Sequence, residues 1–100
     1  MHDVRAMLKE LTEGNKALGQ EMSGIVGPFS AFMKADGADG ALSAKFKELI
    51  CVAMAAYNRC EYCIVYHVYN AYKYGANRKE ILEAALTAMG FGGGPTMAYT

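Results

Sequence analysis

The chain has no excess of charge of either sign. Ten lysine and arginine residues balance ten aspartate and glutamate residues over 100 positions. Such a chain has no electrostatic footprint for nucleic acid or for an anionic membrane surface, and neither partner is expected. Cysteine is scarce and odd in number, three in all, which argues against a secreted disulfide scaffold. The charge-free run Leu49 to Asn58 is too short to span a bilayer. No signal-peptide pattern opens the chain, so a reducing cytoplasm is the expected compartment. There is no convincing β alternation and no internal repeat. Gly92-Gly93-Gly94-Pro95 lacks the Lys-Ser/Thr that a phosphate loop needs. Haem attachment requires a histidine directly after the second cysteine of a Cys-x-x-Cys pair, and Ile64 stands there instead.

What the chain does have is apolar material. Hydrophobic residues make up 53% of it, with seven Met and seven Tyr. One hundred residues form one domain, spanning 1–100. A domain of this size buries only about 60–70% of its extended surface. The surplus of apolar side chains therefore points to a homo-oligomer.

The hydrophobic spacing is helical throughout, and an all-α helix bundle of about five helices is expected. Val4, Met7, Leu8 and Leu11 form one stripe over 3–13, with Gly14-Asn15 as the stop. A short helix fits 16–23, followed by a loop from Gly24 to Gly27. Pro28 opens another helix with Phe29, Phe32 and Met33 on its apolar side, and residues 36–40 form a turn-rich linker. Ser43 caps a helix to about Tyr57, whose charge-free second half is expected to be buried all round. The next helix covers about 59–74 and ends at Gly75. Asn77 and Glu80 begin the helix that runs to Gly90. Gly92-Gly93-Gly94-Pro95 is expected to end the regular structure.

The chemistry concentrates in Asn58-Arg59-Cys60-Glu61-Tyr62-Cys63-Ile64-Val65-Tyr66-His67. At about 100° per residue, Cys60, Cys63 and His67 fall within roughly 60° of arc on one helical face. Asn58 as N-cap with Glu61 as capping-box partner would put Cys60 in the first turn. Free N–H groups and the helix dipole favour a thiolate there, and the thiolate is the form that attacks peroxides and disulfides. Glu48 lies on a face with Ala44, Cys51, Val52 and Ala55. A carboxylate in that setting needs a partner, either Lys45 or the dithiol site through His67.

Glu48, eleven intervening residues, Cys60-x-x-Cys63, three residues and His67 form a composite pattern. Leu42 to Ile50, Gly75 to Ile81 and Gly92 to Pro95 flank it. From about Phe32 onward the chain resembles the carboxymuconolactone decarboxylase / alkylhydroperoxidase D superfamily, on its redox-active side. The resemblance implies an alkylhydroperoxidase D-like helical domain and a thiol–disulfide oxidoreductase that reduces peroxides or disulfides. It implies Cys60, Cys63, His67 and Glu48 as the catalytic set, with His67 and Glu48 as proton relay. It favours Cys63 for peroxide attack, and Cys60 for the external dithiol reductant. It implies no cofactor and no resident metal, and a trimer or hexamer. Tyr62 stands where alkylhydroperoxidase D has a second histidine.

Two other classes remain open on the residues alone. A decarboxylase-like lyase would need neither thiol. A metal-binding or structural subunit would use Cys60, Cys63, His67 and Glu48 as zinc ligands, although no second Cys or His pair closes that site. Cys51 reads as a buried, inert thiol, and His2 as uninvolved. Tyr62, Tyr66 and Tyr69 read as core or subunit contact. Lys45, Lys47, Arg78 and Lys79 read as solvated charges.

Overall fold

The computed structural model describes residues 3–100, so His2 lies outside the described residues. Six helices follow one another, and no strand occurs among the described residues: α1 Val4–Glu21, α2 Ser23–Gly37, α3 Ala44–Asn58, α4 Glu61–Lys73, α5 Arg78–Thr87 and α6 Met89–Tyr99. They form two compact units, Met1–Ala38 and Asp39–Thr100.

In the first unit, Asp3 caps α1 by accepting hydrogen bonds from the N–H groups of Arg5 at 3.0 Å and Ala6 at 3.2 Å. The helix runs through Gly14 and Asn15, where the sequence suggested a stop. An interior glycine costs only about 1 kcal/mol relative to alanine, too little to end an otherwise supported helix. The break falls instead at Met22 (φ −124°, ψ 47°), and α2 starts at once, taking in the expected loop at Gly24 to Gly27. Pro28 is therefore inside α2 rather than at its start. No residue of α2 is buried, and Ile25, Phe29 and Phe32 are all at least 60% exposed.

The second unit holds the core: Val52, Ala56, Ala71, Ala76, Ile81 and Ala85, with Leu49 and Val68 packed against them. Alanines at four of these six positions let the helices approach closely. Ser43 caps α3 by accepting from the Phe46 N–H at 3.1 Å, as its position predicts. At the other end of α3, Arg59 adopts the left-handed conformation (φ 55°, ψ 41°). Its N–H donates to the Ala56 carbonyl and the Cys60 N–H to the Ala55 carbonyl, both at 3.2 Å. That pair of bonds is a Schellman motif with arginine where glycine is usual. Asn58 therefore belongs to α3 and does not cap α4, and no capping box with Glu61 forms.

Asn77 and Glu80 do form the expected capping box. The Glu80 N–H donates to Asn77 Oδ1 at 2.8 Å, and the Asn77 N–H to Glu80 Oε1 at 2.9 Å. Lys45 Nζ meets the other oxygen of Glu80 at 2.8 Å, tying α3 to α5. The Lys45 ammonium, and then the Asn77 N–H, hold the Glu80 carboxyl below its ordinary value. Regular structure continues past the glycine run. Gly93 (φ 62°, ψ −144°) turns the chain inside α6, a conformation that glycine tolerates. Pro95 then falls in the first turn after the kink, where its missing N–H costs little. Gly92 is needed for a different reason: a side chain there would run into Thr96, which is buried.

The outer side of the second unit departs from expectation. The apolar half of α3 is not buried all round, for Ile50, Met54 and Tyr57 are 40–59% exposed. Tyr62, Tyr66 and Tyr69 are exposed as well, which removes them from the core of this chain.

Candidate functional site

Cys60 is the N-cap of α4, immediately after the left-handed turn at Arg59. Its sulfur accepts a hydrogen bond from the Cys63 N–H at 3.3 Å. Cys60 and Cys63 are joined as a disulfide, with Cα atoms 5.2 Å apart, inside the range a disulfide spans without moving the backbone. Cys60 thus sits one position earlier than a first-turn residue, where its own sulfur satisfies an N–H of the helix start. Both cysteines are partly exposed, so reagents can reach them.

One turn beyond Cys63 on α4, His67 meets Glu48 of α3. Nδ1 and Oε2 are 2.8 Å apart, with the two side chains only 17% and 14% exposed. The partner of Glu48 is therefore His67, whereas Lys45 is engaged by Glu80. An ionised carboxylate only accepts, so Nδ1 carries the proton of that bond. In the neutral ring this leaves the Nε2 lone pair to receive another. The Tyr66 ring meets the imidazole edge-on, with centroids 5.1 Å apart.

Cys51 joins this pair. Its sulfur, a carboxylate oxygen of Glu48 and a ring nitrogen of His67 all lie within 4.8 Å of one another. Cys51 takes no part in the disulfide and is half-buried. The expected burial of Cys51 is only partial, and the sequence reading did not place it beside His67. The signal was present in the three-residue spacing from Glu48, which puts both on one helical face.

A cleft of about 350 Å³ opens beside the turn that delivers Cys60. Tyr57, Asn58 and Arg59 line one side, and Phe91, Gly92, Pro95 and Thr96 the other. No sequence pattern pointed to it, because its two walls are more than thirty residues apart in the chain.

The carboxymuconolactone decarboxylase family model matches residues 27–100. An uncharacterized protein of Cupriavidus necator is 35% identical over 97 residues, covering 97% of this chain and 86% of its own length. The protein called uncharacterized protein 4 in the cox locus of Paracoccus denitrificans is 35% identical over 92 residues, covering 89% and 83%. Among solved structures, the apo form of a carboxymuconolactone decarboxylase family protein from Legionella pneumophila superposes with a TM-score of 0.91. It is 35% identical and covers 96% of this chain and 86% of its own. With the helical fold, this places the chain in the carboxymuconolactone decarboxylase family. The alkylhydroperoxidase D-like superfamily to which the Cys-x-x-Cys pattern pointed is supported by the same matches. No helix among the described residues is long and apolar enough to cross a membrane.

Proposed function

We propose that this protein is a thiol–disulfide oxidoreductase of the alkylhydroperoxidase D type, with Cys60, Cys63, His67 and Glu48 as its working residues. One observation carries the reading: a disulfide-paired Cys60–Cys63 at the start of α4, with the Glu48–His67 hydrogen bond one turn further on. A structural zinc subunit built on Cys60 and Cys63 is disfavoured by that same pairing, since sulfurs joined to each other are not thiolate ligands.

In the peroxide reaction, the Cys63 thiolate attacks the distal oxygen of ROOH and the O–O bond breaks. The products are Cys63 sulfenic acid and, after one proton is taken up, ROH. The Cys60 thiol then displaces that hydroxyl. A sulfur–sulfur bond forms and water leaves. An external dithiol restores both thiols and leaves as its own disulfide. Attack by that reductant on Cys60 Sγ releases Cys63 as thiolate; the reductant's second thiol then breaks the mixed disulfide and Cys60 leaves as thiolate, a charge the Cys63 N–H stabilises. His67 supplies and takes back protons, and Glu48 holds its ring. Disulfide substrates enter the same cycle by exchange at the thiolate.

The whole chain, 1–100, acts as one such domain in a homo-oligomer, a trimer or hexamer in keeping with the superfamily, and works in the cytoplasm. The exposed apolar side chains of α2, α3 and α4 support the assembly. The test is turnover of an organic hydroperoxide and of a small disulfide, driven by excess dithiol. Cys63→Ser and Cys60→Ser should each abolish catalytic turnover. Undiminished turnover in the double Cys60→Ser/Cys63→Ser variant would refute the reading.

A further inference from the structure

The cluster of Glu48, Cys51 and His67 has a use that peroxide chemistry does not need. Cys51 has no part in the Cys60–Cys63 cycle, yet its sulfur lies within 4.8 Å of both relay groups. The three side chains bring together a carboxylate oxygen, a thiol sulfur and an imidazole nitrogen. The geometry points to a zinc-class divalent cation site formed by Glu48, Cys51 and His67, distinct from the dithiol.

The donor set selects the metal. Thiolate and imidazole prefer zinc-class ions, whereas magnesium and calcium require mainly oxygen ligands. Around a tetrahedral zinc, with bonds of about 2.0–2.3 Å, ligand atoms stand roughly 3.3–3.8 Å apart. Binding would need side-chain rotation to bring atoms now up to 4.8 Å apart to that spacing. Meanwhile the 2.8 Å Glu48–His67 bond must open to admit the ion. Charge also balances: a thiolate and a carboxylate neutralise a divalent ion, with the imidazole neutral. That matters where the histidine and glutamate side chains are only 17% and 14% exposed. Binding transfers no electrons. A Cys51–S–metal bond replaces the S–H bond, and one proton passes to solvent. Three protein ligands leave a fourth position for water, as at open zinc sites.

A consequence follows that rests on the proposed function. The ion occupies the ring and the carboxylate that would carry protons, so the metal-bound protein should be a blocked form of the oxidoreductase. Metal binding itself does not depend on that reading.

The test separates the two. Cobalt(II), as a spectroscopic stand-in, is titrated into unmodified protein with the Cys60–Cys63 bond oxidised, where Cys51 is the sole remaining thiol. A thiolate-to-cobalt charge-transfer band saturating at one ion per chain is expected, with zinc displacing the cobalt. The same band should form in the reduced Cys60→Ser/Cys63→Ser variant. It should vanish in Cys51→Ser, with zinc affinity by calorimetry falling more than about 100-fold, beyond the 10–100-fold typical of losing an outer partner. Circular dichroism checks the helices of each variant. Absence of the band in the unmodified oxidised protein would overturn the site without recourse to any variant. So would a band that survives Cys51→Ser. Metal binding in a protein without peroxide or disulfide turnover would keep the site and remove the oxidoreductase. Turnover unaffected by saturating zinc would remove only the blockade.

Discussion

Glu48 stands among small and apolar residues, where a carboxylate is costly unless another group answers it. Its answer is His67 Nδ1 at 2.8 Å, and this juxtaposition has a measurable consequence. Glu48→Gln keeps size and shape, and an oxygen that can still accept from Nδ1, but removes the negative charge and the titratable group that act on the imidazole. General acid–base assistance typically contributes about 10²–10⁴-fold, and turnover should fall by about that factor while both thiols remain titratable. Lys45→Met should leave turnover near the parent's, since Lys45 pairs with Glu80 instead and surface pairs of that kind contribute only about 0–1 kcal/mol. Equal losses in the two variants would take Glu48 out of the proton path. Part of this arrangement was legible from spacing: Glu48 meets His67, and Cys60 pairs with Cys63 at the start of α4. The placement of Cys51 beside His67 was not, because an apolar run makes a cysteine look like filler.

At the scale of the helix, Arg59 is the feature the sequence concealed. Asn58 followed three residues later by Glu61 has the form of a helix start, while a glycine at position 59 would have announced a helix end. Arginine in the left-handed conformation carries no such signal, and only the two backbone bonds to Ala55 and Ala56 reveal the motif. A non-glycine residue there costs roughly 1 kcal/mol or more. Arg59→Gly should therefore raise the denaturant midpoint by an amount equivalent to about 0.5–1 kcal/mol, with the slope unchanged. A lowered midpoint would mean that the arginine side chain contributes more than its backbone costs. The capping box at Asn77 and Glu80 was readable because both partners are local. The kink at Gly93 was not, since three adjacent glycines and a proline signal an interruption without saying whether the helix resumes.

For the whole molecule, the open question is where so much apolar surface goes. Phe91 is 90% exposed, Ile25 67% and Met54 59%, and the proposed assembly would cover exposure of this kind. Composition foretold the surplus but not its location, because helical periodicity does not distinguish a core face from an exposed apolar one. Light scattering at micromolar concentration should give a mass several times that of one chain. Phe91→Glu or Met54→Glu should lower it if that residue lies in the interface. A monodisperse monomer would contradict the proposed assembly.

The proposed oxidoreductase function rests on Cys60 and Cys63 cycling between dithiol and disulfide during turnover. Reduced protein should be mixed with one equivalent of hydroperoxide, quenched by alkylation at successive times and mapped by mass spectrometry. The account predicts a Cys60–Cys63 disulfide that accumulates one per peroxide consumed, disappears when dithiol is added, and leaves Cys51 alkylated at every time point. A disulfide that involves Cys51, or peroxide consumption with Cys60 and Cys63 still fully alkylated, would contradict it.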